Sequence, residues 1–205
     1  VLGANDGIVS VSSLVVGVAA ANSDTKSILI AGVAGLTAGA MSMAAGEYVS
    51  VSSQSDVETA DIAREAIALR DMPQQEFDEL AAIYRKRGLS PETAHQVATE
   101  LTENDALAAH VRDELGLSEL HAANPLQAAL ASGMTFSVAA AIPVLAAFLA
   151  PAAAVIPVVL FVTLIALAGL GALGAIAGGA PLRPATIRVV GWGVFAMAIT
   201  AGVGW

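Results

Sequence analysis

The chain has 205 residues, 56% of them apolar and 13% charged, with a mean hydropathy of +0.72. Soluble domains carry about 25% charged residues, so a soluble globule is excluded. The absence of cysteine excludes disulfides, thiolate zinc sites and iron–sulfur clusters, and the net charge of −9 argues against nucleic acid as a partner.

A hydrocarbon core takes about 20 apolar residues per helix. In chain order, the first predicted span runs from Asn5 to Ala21, followed by a polar turn at Asn22, Ser23 and Asp24. Val1–Gly7 holds no basic stretch, so no cleavable signal is expected, and the abrupt opening predicts a short natural lead upstream. The second span covers 27–51. A polar insert follows, and the third span starts at Asn124-Pro125, a cap and an N1 proline, and runs to Ala150. The fourth covers 152–178 and the fifth 184–205, separated by Gly179-Ala180-Pro181. Pro143 and Pro157 are expected to kink the third and fourth spans. The predicted domains are 1–54 with two spans, 55–121 as an acidic helical domain, and 122–205 with three spans. Few aromatics and many small residues suit close helix packing, as do Gly32, Gly35 and Gly39 in the second span and Gly174–Gly178 in the fourth.

The insert is helical by pattern. A first piece over 55–70 continues the second span, and Pro73 breaks it. A second runs over 74–87 to Gly88, a third starts at Ser90-Pro91 and reaches Glu103, and a fourth runs from Asp105 to Leu115 and stops at Gly116. No strand is expected. The fold class is therefore an all-α membrane protein with five transmembrane helices and a helical domain between the second and third.

Charge distribution orients it. Residues 56–119 hold 15 of the 18 acidic and 6 of the 9 basic side chains, so the whole net charge lies in the insert. The first turn and the Pro151 turn hold only Lys26, whereas the insert and the 180–188 loop hold the other eight basic residues. The positive-inside rule then places the insert and the N-terminus in the cytosol and Trp205 outside.

Three groups of residues can carry chemistry. Asp6 either caps the first helix or sets a carboxylate at the cytosolic mouth of the membrane, where burying charge costs about a few kcal/mol and marks function. Ser10, Ser12 and Ser13 extend a polar stripe along the same helix. Met43 and Glu47, four apart, share a helix face, and a carboxylate beside a thioether suits a borderline transition metal or a proton. The structural alternative is a gap-filling Met and an interfacial Glu beside Tyr48. In the insert, Glu58, Asp61 and Glu65 share one face, Glu76 and Glu79 another, and His110 and Glu114 a third. A single such pair is usually a solvated face. Three helices that each present carboxylates, one with a His, are how helical bundles build metal sites. His95 and His121 have no such partners and are read as surface or loop residues.

Asp6-Gly7-Ile8-Val9-Ser10, the run from Gly39 to Tyr48 and the acidic insert together resemble the vacuolar iron transporter family, in the form of a bacterial member. The likeness covers essentially the whole chain. It implies a homodimer in the bilayer, expected in a bacterial inner membrane, that exports Fe2+, and often Mn2+, from the cytosol in exchange for protons; soft Met together with hard carboxylate adds Co2+ to the candidate ions, with Zn2+ a further one. The family's transmembrane Asp falls on Asp6 and its metal-contacting Met on Met43. Its cytosolic Glu ligands fall on Glu65, Glu76, Glu79 and Glu114. One family Glu is Ala68 here, and two Met positions are His110 and Val111, so the insert has lost a carboxylate and a thioether and holds an imidazole. Asp61 and Glu58, one and two turns before Glu65, are positioned to compensate. Glu47 stands where the plant pattern has a small residue, so its place in the ion path rests on the membrane argument. Two other classes remain: a membrane-anchored ferritin-like di-iron oxidase, which normally needs Glu-x-x-His motifs that the insert lacks, and a metal-sensing scaffold without flux.

Overall fold

The computed structural model describes residues 2–21, 24–117 and 124–205. Asn22 and Ser23 of the predicted turn, and His121, lie outside the described residues. Every regular element among the described residues is helical: α1 (Leu2–Ala20), α2 (Thr25–Asp71), α3 (Pro73–Lys86), α4 (Pro91–Asp113), α5 (Pro125–Leu149), α6 (Val155–Ala177) and α7 (Leu182–Gly204), with a short 3₁₀ turn at Ala152–Ala154 before α6. Five of them, α1, α2, α5, α6 with its 3₁₀ turn, and α7, are long and apolar enough to span a membrane.

The chain divides into two compact units, Val1–Tyr48 with Leu126–Trp205, and Val49–Pro125. The division falls inside α2. This helix has 47 residues, and a hydrocarbon core takes about 20 of them, so the remainder is available to the polar unit. Pro73 sets its end, because the residue before a proline is driven out of the helical region and Pro73 then serves as the first residue of α3.

In the apolar unit, α1 packs on both α6 and α7, which also pack on each other. Val11, Val15 and Val16 of α1 form one core with Phe136, Ala140, Ala146 and Ala147 of α5 and Val155 and Val159 of α6. Ile8, Ala139 and Leu167 form a second. Small residues set the helix spacing: a Cβ on Gly7 would lie 2.6 Å from the Phe136 carbonyl oxygen, and one on Gly17 would lie 2.9 Å from that of Thr200. Pro143 lies inside α5, while Pro157 falls in the first turn of α6, where its missing N–H breaks no helical bond. The disruption expected at Pro157 is thus taken up at the helix start. Gly178 is the C-cap of α6 rather than a packing residue within it.

In the polar unit α3 packs on α4 around Leu80, Ala98 and Ala109. Ser90 caps α4, its Oγ accepting from the Thr93 N–H at 3.2 Å, with Pro91 at the first helical position. Gly88 and Gly116 have φ of 100° and 68°, the left-handed geometry that ends a helix without Cβ strain. The helical run 91–113 is broken at Asp105, whose φ of −162° and ψ of 96° are extended. Its Oδ1 accepts from the Ala108 N–H at 2.9 Å, so Asp105 caps a second segment, and the two predicted pieces are both present.

Candidate metal centre and membrane cavity

The polar unit brings together side chains from three helices. Glu65 comes from α2, Glu76 from the first turn of α3, and His110 and Glu114 from the last turn of α4 and its cap. One ligand atom from each lies within 4.8 Å of all the others. His110 is fully buried, and Glu65 and Glu76 are nearly so. The His110 Nδ1 lies 3.0 Å from Glu114 Oε2, to which it is hydrogen-bonded, 2.9 Å from Glu65 Oε1 and 4.0 Å from Glu76 Oε2.

One ring proton cannot serve three carboxylates. Glu65 Oε1 lies close to the His110 Nδ1 but makes no hydrogen bond, since that nitrogen is bonded to Glu114, and His110 Nε2 is buried with no hydrogen-bond partner. A buried carboxylate oxygen left so is costly. Burial pushes the Glu65 carboxyl above its ordinary range, repulsion from Glu114, Glu76 and Glu79 adds to this, and His110 opposes it. Three crowded carboxylates and one imidazole make an O,N donor set for a borderline divalent metal, whose charge would relieve the repulsion.

The other acidic candidates lie outside this group. Glu79 is exposed and acts on Glu65 through its charge. Glu58 accepts from Gln54 Nε2 at 2.9 Å, and Asp61 pairs with Arg64. Neither belongs to the cluster. His95 makes an edge contact with Phe77, its ring centroid 5.0 Å away.

Beside the cluster stands a network that spacing did not reveal. The Tyr84 hydroxyl donates to Asp113 Oδ2 at 2.8 Å, Arg87 donates to Oδ1 at 2.6 Å, and Arg112 donates to Oδ2 at 2.8 Å. Burial pushes the Asp113 carboxyl up, but these hydrogen bonds outweigh it and hold the group at about 2. The network ties the end of α4, which carries His110 and Glu114, to the end of α3.

In the apolar unit Asp6 is the fifth residue of α1 and so lies inside the helix, which removes the capping alternative. It shares a cavity of about 300 Å3 with Ser10, Val11, Leu14, Gly35, Gly39, Ser42, Met43 and Phe136. Two of the three residues expected to mark an ion path, Asp6 and Met43, thus line the same space, one from α1 and one from α2. Glu47 is half-buried further along α2 and is not in this lining, and Met41 faces a different groove with Tyr48 and Met134. Leu14, Ser42 and Phe136 carry no sequence signal of their own. A register of α1 against α2 would have found the first two.

Five apolar helices, a buried Glu/His cluster and a carboxylate–thioether cavity within a helix bundle define a polytopic α-helical membrane protein with features suited to cations. The VIT family profile matches residues 1–205. The chain is 45% identical over 205 residues, all of this chain and 76% of the relative, to a vacuolar iron transporter of Acanthamoeba castellanii. It is 38% identical to vacuolar iron transporter homolog 1 of rice, covering 99% of this chain and 70% of the relative. It is 37% identical to vacuolar iron transporter homolog 2.1 of Arabidopsis thaliana, covering 98% and 77%. The chain belongs to the VIT family, a family of transporters.

Proposed function

We propose that this protein carries Fe2+ out of the cytosol in exchange for protons, with Mn2+, Co2+ and Zn2+ as further ions that its ligands fit. The observation that supports this most is the Glu65–Glu76–His110–Glu114 cluster, whose crowded carboxylates and buried atoms without hydrogen bonds suit a divalent cation. The relatives' names supply iron as the cargo. In this reading the acidic unit concentrates the ion electrostatically, the cluster binds it, and Asp6 and Met43 form its path through the membrane. Exchange has a simple basis: ion and proton compete for one carboxylate, so protonation of Asp6 or Glu47 favours release. Thioether with carboxylate selects Fe2+, Mn2+ or Co2+ over Mg2+ and Ca2+. The protein acts as a homodimer in a bacterial inner membrane, with the acidic unit and N-terminus in the cytosol, an orientation that the basic residues support.

The test is proton-coupled Fe2+ flux in proteoliposomes. Asp6→Ala and Met43→Ala are each expected to cut the initial rate by about tenfold or more, the effect of about 1.4 kcal/mol on the barrier. If both variants transport at the wild-type rate, the path runs elsewhere.

A further inference from the structure

The cavity that holds Asp6 and Met43 is not uniform along its length. Helices α1 and α2 run antiparallel past it. A Cβ on Gly3 would lie 3.8 Å from Met43 Cε, one on Gly35 would meet the Leu14 side chain, and one on Gly32 would lie 3.1 Å from Val15 Cγ2. Low numbers on α1 thus face high numbers on α2. The stripe Asp6, Ser10, Leu14 then matches Met43, Gly39, Gly35, each step being one helical turn of about 5.4 Å. Asp6, Met43 and Ser42 make a polar layer at one end. Two turns along, Leu14 sits against Gly35.

The third wall is Phe136 of α5. A Cβ on Gly39 would overlap its ring, and its backbone presses on Gly7. Phe136 is 2% exposed and still borders the cavity. The two glycines of the GxxxG pair in α2 therefore do more than bring helices together. Each receives an apolar side chain that borders the ion cavity. The space changes from carboxylate, hydroxyl and thioether to leucine and phenyl within two turns.

We propose that Leu14 and Phe136, seated on Gly35 and Gly39, form an apolar constriction next to the Asp6–Met43 layer, and that it determines ion specificity by excluding ions that keep their water. This rests on the transport reading above. Apolar constrictions exclude hydrated ions by dewetting. Mg2+ sheds its water reluctantly and is a poor partner for a thioether. Fe2+ exchanges water for Asp6 and Met43 in the polar layer and reaches the constriction with fewer waters. The ligand layer and the constriction thus act in series: the first replaces water and the second rejects whatever has kept it.

The full chain in proteoliposomes, assayed for Fe2+ and Mg2+ influx in parallel, tests this. Leu14 is 39% exposed, so Leu14→Ala removes the side chain without opening the core. It is expected to lower the Fe2+:Mg2+ rate ratio by about tenfold through a gain in Mg2+ flux, the size of a 1.4 kcal/mol change in barrier. Phe136→Leu is expected to act in the same direction. Gly35→Ala, which drives Leu14 into the cavity, is expected to reduce Fe2+ flux with no gain for Mg2+. A general loss of packing does not raise the flux of one ion selectively, so the ratio separates the two roles. The constriction is overturned if Leu14→Ala and Phe136→Leu carry Fe2+ with the wild-type ratio, or if Leu14→Ala loses flux for both ions alike. A wild-type protein that carries no Fe2+ overturns the transport reading, and this inference with it.

Discussion

Glu65 is held where a carboxylate is least stable. Burial and the neighbouring carboxylates raise its proton affinity above that of the unfolded chain. The folded, metal-free protein therefore binds a proton in a range where the unfolded chain has released it, and stability falls as pH rises through that range. At neutral pH Glu65 is thus a cost that a bound metal would relieve. Glu65→Gln is expected to raise the melting temperature of the chelator-treated protein at neutral pH and to flatten its pH dependence. The same variant is expected to weaken metal-induced stabilisation and to lower Co2+ or Fe2+ affinity by about tenfold or more, the scale of even an outer-shell loss. Thermal melts with and without metal, at several pH values, measure both effects. An unchanged metal response would remove Glu65 from the ligand set. His110 was legible as a candidate because it lies four residues before Glu114 on a helix. Its complete burial was not, since a lone His in a polar helix carries no signal of depth.

Secondary-structure elements are tied at their ends by chemistry that hydropathy does not see. Asp113 links α4 to Tyr84 and Arg87 of α3's C-terminal region and presents Glu114 as the next residue. Its carboxyl titrates at about 2 against an ordinary 3.8, so its contribution is present above the ordinary value and is lost as pH falls through about 2. Asp113→Asn is expected to cost about 2 kcal/mol, the scale of hydrogen bonds to a charged group, and to remove the acid-sensitive step below pH 4. Urea unfolding of the full chain in detergent, followed at pH 7 and pH 3, reads this out; equal stability of variant and wild type would mean that the network is only surface pairing. Helix boundaries, by contrast, were largely legible. Ser90-Pro91, Gly88, Pro73 and Gly116 each impose a local backbone geometry, and the structure places a start or a stop at each. Asp6 was open from sequence because a capping Asp and a membrane-embedded Asp look alike. Four further residues of helix before it resolved the choice.

For the whole molecule, charge is the organising quantity. The net −9 resides in the polar insert, while the remaining residues are balanced. Metal association is therefore expected to slow as ionic strength rises, because screening shortens the reach of the field to about 8 Å at 0.15 M salt. Stopped-flow binding across a salt series measures this, and a rate independent of salt would leave the insert's charge without a collecting role. The absence of cysteine makes topology directly testable. Ser90→Cys in the insert is expected to react with a membrane-impermeant maleimide only from the cytosolic face, and Thr25→Cys only from the other. The reverse pattern would invert the proposed direction of transport.

Hydropathy alone determines the class of this protein, because the cost of burying backbone polar groups in lipid leaves a helix as the solution for each apolar run of sufficient length. Local rules of capping and proline geometry likewise set most helix ends from the chain itself. Residue spacing identified Glu65, Glu76, His110 and Glu114 as members of acidic faces on three helices, since periodicity reports which side of a helix a residue lies on. Periodicity is silent on which faces meet. Only the tertiary structure decided that these four converge while Glu58, Asp61 and Glu79 do not, and that Asp6 and Met43 share a cavity with Leu14 and Phe136. Those outcomes depend on helix register and on the depth to which one side chain seats in another helix's glycine notch, quantities that arise from packing between segments distant in sequence.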